Sequence, residues 1–167
     1  MDELQGDRVV LRPLQTDDVP VLVEIQSQPS VARSWGPPDE SALRRQAAGE
    51  SEETSFAITI GGAVAGLIQY VEDNDPMYRH AGIDIFLAEE FQGLGLGVDA
   101  VRTLARHLVH ERGHHRLTID PAADNVAAIR AYEKVGFRPV GVMRQYERLP
   151  DSDWHDGLLM DLLAGEL

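Results

Sequence analysis

Hydrophobic and polar positions along this chain follow two rhythms. In the first half, a short β-branched run from Arg8 to Arg12 is followed by Thr16-Asp17-Asp18. That triplet offers an N-cap for a helix through Gln26, with Val19, Leu22, Val23 and Ile25 as its apolar side. Pro29 to Pro38, containing Trp35-Gly36, reads as a punctuated loop before a polar helix from Asp39 to Ala48. Strands from Phe56 to Ile60 and Ala63 to Val71 flank Gly61-Gly62, which predicts a tight hairpin, and Glu72 to His80 is a polar loop. The second half alternates: strand (Ile83 to Leu87), glycine loop, helix (Val98 to Glu111), strand (Arg116 to Asp120), helix (Asn125 to Val135). This predicts a βαβα unit with its two strands parallel. Strands near Arg138 to Met143 and Leu158 to Leu163 are expected to close the sheet around an acidic loop containing Trp154-His155-Asp156. The fold class is α+β: a mixed, mainly antiparallel sheet with a central parallel unit and helices on both faces.

Composition narrows this picture. With 167 residues, 43% of them hydrophobic, the chain fits one globular domain over residues 1–167. The absence of cysteine excludes disulfides, thiolate metal sites and cysteine nucleophiles, and is compatible with a reducing compartment. Met1-Asp2-Glu3 lacks the basic flank and apolar run of a secretion signal, and no apolar stretch is long enough to cross a bilayer. A cytoplasmic protein is therefore expected. The formal net charge of −13 argues against a nucleic-acid surface and suits a cationic small substrate, although acidity also serves solubility alone.

Phe91-Gln92-Gly93-Leu94-Gly95-Leu96-Gly97 joins a strand to a helix and reads as a phosphate-binding loop. Its glycines let the backbone approach a ligand, and the helix behind it aims N–H groups and a positive dipole end at an anion. Gly95 to Ala100 also satisfies the dinucleotide pattern G-x-G-x-x-A, with Asp120 placed as a ribose-binding acid. Three features oppose that reading. Ala88 to Gln92 intervene between strand and loop, half the chain precedes the unit, and too few strands follow it.

Joined to Asp120-Pro121 and to the helix from Asn125 through Tyr132-Glu133-Lys134 to Gly136-Phe137, the loop resembles that of the GNAT superfamily of acyl-CoA-dependent N-acyltransferases. The resemblance spans most of the chain and is strongest over Ile83 to Phe137. It implies a GNAT-type sheet and acetyl-CoA as cofactor. Gln92, Gly93, Leu94, Gly95, Leu96, Gly97 and Val98 would hold the diphosphate, and the strand backbone at Ile85, Phe86 and Leu87 would polarise the thioester carbonyl. Asn125, Ala128 and Tyr132 would line the pantetheine groove. Asn125 and Tyr132 are two helical turns apart and share a face, with Ala128 between them. Taken singly, an N-capping Asn and a half-buried core Tyr are the ordinary readings. Asp99, in the first turn of the helix, would repel phosphate if it pointed inward, so it is expected to face solvent or to weaken the cofactor.

The resemblance makes Tyr132 the acid for the departing sulfur. Asp84, the ionisable side chain of Gly82 to Leu87, is the candidate base, unless it is a satisfied structural group on the opposite face. Together with Asp156-Gly157-Leu158-Leu159-Met160, these segments look like the aminoglycoside 6′-N-acetyltransferases. That likeness makes Trp35, Asp84, Asp120 and Asp156 substrate contacts, the carboxylates drawing a polycation. Asp120 before Pro121 and Asp156 before Gly157 are also plain turn signals. His107, His110 and His114 share a helix side but cluster at its predicted C-terminus, so no metal is expected. The expected partner is a small-molecule amine, with no nucleic acid and no membrane; a homodimer is allowed. Two alternatives stay open: a ribosomal-protein-type N-terminal acetyltransferase, encouraged by Val9-Val10-Leu11-Arg12-Pro13-Leu14, and a CoA-binding module without catalysis.

Overall fold

The computed structural model describes residues 1–149 and 153–167. Among them, eight strands form one sheet in the order β1-β2-β3-β4-β5-β6-β8-β7. They are β1 (Leu4–Gln5), β2 (Val10–Pro13), β3 (Thr54–Ile60), β4 (Ala63–Asp73), β5 (His80–Leu87), β6 (Arg116–Ile119), β7 (Arg138–Arg148) and β8 (Trp154–Leu163). Neighbours are antiparallel except β5 and β6, the parallel pair expected of the βαβα unit. The helices are α1 (Val19–Gln26), α2 (Pro29–Trp35), α3 (Glu40–Ala47), α4 (Leu96–His110) and α5 (Val126–Val135).

Each sheet face has its own apolar cluster. Leu96, Ala100, Val101, Leu104, Ala105 and Leu108 recur at helical spacing on α4 and meet Leu11, Ile58, Ile68, Ile83 and Leu117. On the opposite face, Val19, Leu22 and Ile25 of α1, with Val31 and Leu43, cover Ala57, Leu67 and Phe86. Those last three are cross-strand partners, one row across β3, β4 and β5. Two residues further along the same face, the row becomes Ser55, Gln69 and Asp84. An apolar floor thus gives way to a polar one within one repeat of the pleat.

Two expectations are corrected. Pro29 opens a helix rather than a loop: a proline in the first turn loses no intrahelical bond, because that N–H has no partner there in any case. Trp154, His155 and Asp156 belong to β8, with Trp154 opposite Arg148 and His155 opposite Glu147. Of the loop expected between Met143 and Leu158, residues 150–152 lie outside the described residues. Gly157 is not a turn residue but a point of close packing, since a Cβ there would come 2.9 Å from the Tyr146 ring.

Candidate functional site

The site begins where β5 and β6 part. They pair at Ala81–Leu117 and Gly82–Thr118, and beyond Gly82 the bridges of β5 run only to β4. One edge of Ile83 to Leu87 is therefore open. A Cβ built on Gly66 of β4 would strike the Phe86 carbonyl oxygen, so that carbonyl faces β4. Strand alternation then turns the N–H and C=O groups of Ile85 and Leu87 toward the gap. Two side chains already use those carbonyls: Trp35 Nε1 donates to Ile85 at 3.3 Å and Gln92 Nε2 to Leu87 at 2.9 Å.

A short 3-10 turn, Glu89–Phe91, leads from this strand into the glycine loop. Gly93 and Gly95 both have φ in the left-handed region, +73° and +77°, and nothing lies within 4 Å of a Cβ added at Gly93. Gly95 is the N-cap of α4, no side chain caps the helix, and Leu96, Gly97 and Val98 form its first turn. The first N–H groups of a helix have no intrahelical acceptor. An uncapped, glycine-lined helix start of this kind, open at Gly93, fits the diphosphate of CoA. Asp99 corrects the expectation made for it: it is buried, facing neither solvent nor the loop, and its carboxylate accepts the main-chain N–H groups of Asp7, Arg8 and Val9 at 2.7–3.0 Å.

On α5, Asn125 is the N-cap, its Oδ1 accepting from the Ala128 N–H at 3.2 Å. Tyr132 packs against the α4-side core with its ring 6.4 Å from that of Phe137, edge to face. Burial raises its hydroxyl above the ordinary tyrosine value, and the negative charges of Asp84 and Asp120 add to the rise.

Asp84 stands on the α1 side of the sheet, in the row of Ser55 and Gln69, exposed to solvent yet with protein around it. That enclosure pushes its carboxyl up to about 6; Asp120 contributes next, opposed by a hydrogen bond from Gln69, with smaller contributions from Glu147 and Glu53. Asp120 accepts the Tyr146 hydroxyl at 2.6 Å, which moves Tyr146 up to about 12. Glu147 is itself raised, by burial first and then by Asp120. Trp35 lies beside this group, its ring 4.9 Å from Phe86, and with Gln26 and Glu147 it lines an open cleft of about 620 Å³.

The structure thus brings together Asp84, Asp120, Tyr132 and the gap in β5, with Trp35 at the side. Asp156 lies beside the segment that follows Asp120, its carbonyl accepting the Ala123 N–H at 2.9 Å, but its Oδ1 is engaged by the N–H of Gln145, a residue at φ +49° where the β7 register shifts. His107 pairs with Glu111, and His114 is buried against Glu72. Sequence reasoning missed Gln69, Glu147 and Tyr146. Gln69 carried a signal, as the polar residue inside the run Ala63 to Val71; the other two depend on a strand irregularity that periodicity does not report.

Comparison with known proteins identifies the family and the fold. Residues 8–138 match the family described as Acetyltransferase (GNAT) domain. Spermidine N(1)-acetyltransferase of Escherichia coli (strain K12) is 30% identical over 139 residues, spanning 80% of this chain and 74% of that protein. Aminoglycoside N(6')-acetyltransferase type 1 of Klebsiella pneumoniae is 31% identical over 158 residues, spanning 83% and 78%. The fold matches that of RimL, a ribosomal L7/L12 alpha-N-protein acetyltransferase solved with coenzyme A, with a TM-score of 0.83 over 97% of this chain and 98% of that one at 22% identity. The chain belongs to the GNAT family of acyl-CoA-dependent acetyltransferases.

Proposed function

We propose that the chain is a single N-acetyltransferase domain that uses acetyl-CoA to acetylate a primary amine of a cationic acceptor. The observation that carries this reading is Asp84: a solvent-exposed carboxyl raised to about 6 and crowded by Asp120, Glu147 and Glu53 on the strand whose edge is open. A carboxylate so placed takes a proton from an incoming ammonium and is itself returned to its charged form by water near neutral pH. The surrounding negative charge draws the cation in. Acetyl-CoA, when bound, would supply the acetyl thioester; the N–H groups of Gly93 to Val98 would hold its diphosphate, and Asn125, Ala128 and Tyr132 would line its pantetheine arm. The N–H groups of Ile85 and Leu87 would be the donors for its carbonyl. Tyr132, which keeps its proton at Oη through neutral pH, is the acid at hand for the sulfur.

Two acceptor classes meet this description. Asp84 with Asp120, Glu147 and Glu53 acting on it suits a small polycation, and the curated relatives include enzymes named for spermidine and for aminoglycosides, so aminoglycosides are not singled out. The solved acetyltransferase named for ribosomal L7/L12 favours the second class, an N-terminal α-amine, for which the open cleft beside Trp35 leaves room. CoA release measured with kanamycin, spermidine and short N-terminal peptides tests both. Turnover on one panel member assigns the class, and silence on all of them sinks catalysis in favour of a CoA-binding module.

A further inference from the structure

Residues 7–9 stand 86 to 92 positions from the partners they meet around the glycine loop. The carboxylate of Asp99, in the first turn of α4, accepts the N–H groups of Asp7 (3.0 Å), Arg8 (2.7 Å) and Val9 (3.0 Å). The fit is close: a Cβ at Gly6 would lie 2.7 Å from Thr103 Oγ1 and 2.9 Å from both Asp99 oxygens. Thr103 Oγ1 in turn donates to the Asp99 carbonyl at 2.7 Å. Three donors converging on one carboxylate fix the backbone from which the Arg8 side chain leaves. Its Nη2 then donates to the Leu94 carbonyl at 2.6 Å and covers Gly95, where a Cβ would come within 2.8 Å of the same atom.

The loop needs such holding. Gly93, Leu94 and Gly95 are exposed, and two of the three are glycines, whose backbone has the widest freedom to lose. At its entry the loop is tied by Gln92, which reaches the Leu87 carbonyl and the Ser30 hydroxyl. At its exit the tie is Arg8. A loop fixed before binding avoids the ordering cost that a mobile one meets when the ligand arrives.

We propose that Arg8, aimed by Asp99, is a positioning residue of the cofactor site: its guanidinium fixes the Leu94–Gly95 peptide and so pre-sets the N–H groups of the loop for the CoA diphosphate. The inference rests on the loop being the acetyl-CoA site. Calorimetric titration of CoA, and of pantetheine, which lacks the diphosphate, into the wild type, Arg8→Gln and Arg8→Lys tests it without any turnover. Losing one charge-assisted hydrogen bond is expected to weaken CoA about tenfold in Arg8→Gln. Pantetheine should bind that variant as it binds the wild type. Arg8→Lys, which still donates to Leu94, should recover most of the CoA affinity. Equal CoA affinity in wild type and Arg8→Gln overturns the proposal. So does a parallel loss for CoA and pantetheine, which would mean general loosening. A CoA-specific loss that vanishes in high salt also overturns it, assigning Arg8 to a direct charge contact instead. A wild type that binds no CoA would remove the cofactor reading itself, an outcome distinct from all of these.

Discussion

Asp84 and Asp99 flank the glycine loop, one on the strand before it and one on the helix after it, and their surroundings are opposite. Asp99 is buried and meets three N–H donors from a distant segment. Asp84 is reached by water, has Gln69 as its cross-strand neighbour, and feels the charges of Asp120, Glu147 and Glu53. Enclosure raises Asp84 first and its like-charged neighbours add to the rise, whereas the enclosed Asp99 meets donors rather than like charges. A carboxylate ringed by donors is a strut. One ringed by carboxylates holds a proton within reach of neutral pH, as a base for an amine must.

The largest effect that would sharpen this contrast is on turnover. Asp84→Asn should lower kcat/KM by roughly 10²–10⁴-fold, the usual contribution of a positioned base, with CoA affinity kept. Activity within tenfold of the wild type would leave Asp84 as a substrate anchor only. The matching change at the strut acts on stability instead. Asp99→Ala leaves three main-chain N–H groups without their acceptor, and at ~1–3 kcal/mol for an orphaned group the loss should reach about 3 kcal/mol in urea unfolding. A loss below about 1 kcal/mol would mean that water replaces the carboxylate and that the N-terminal segment is not anchored by it.

Next comes a smaller effect of opposite sign. The carboxyl of Asp84 lies at about 6 in the fold against an ordinary 3.8, so between those values the folded chain holds the extra proton. Stability from this group is present at low pH and falls as pH rises through that window. Asp84→Asn removes the fall. Its melting temperature should match the wild type near pH 4, exceed it above pH 6 and stay above it at pH 8. A melting difference that does not change with pH would mean that the Asp84 carboxyl is not raised in the fold.

Much of this was legible in the chain because it depends on neighbours in sequence. The glycine loop, the parallel pair of strands and the helix carrying Asn125 and Tyr132 are local patterns, and each stands where periodicity placed it. The reading of Asp99 failed because its three partners lie about ninety residues away, where no spacing rule reaches. Pro29 was mistaken for a breaker, since a proline signals both a turn and a first helical turn. Asp156-Gly157 has the composition of a turn, but Gly157 is small to admit the Tyr146 ring, a tertiary cause. The acceptor side of the site therefore emerged only from the register that aligns Ser55, Gln69 and Asp84.

That register leads to the finest test. Gln69, opposite Asp84 across the strands, favours its charged form through its amide, yet its Oε1 is buried with no hydrogen-bond partner. Gln69→Leu removes both the donor and the orphaned acceptor, and the two losses have separate readouts. Without the donor, the acid limb of the kcat/KM profile should move above about 6, by about one pH unit or less, since one unit corresponds to ~1.4 kcal/mol and a single neutral hydrogen bond is worth ~1 kcal/mol. Without the orphaned acceptor, stability should hold or rise, because an unpaired buried oxygen is costly and leucine is not. Gln69→Glu should push the limb higher still by adding a carboxylate beside Asp84. If the limb stays put in both variants while activity falls, Gln69 holds the sheet rather than the proton, and the ionisation of Asp84 is set by its enclosure and its acidic neighbours.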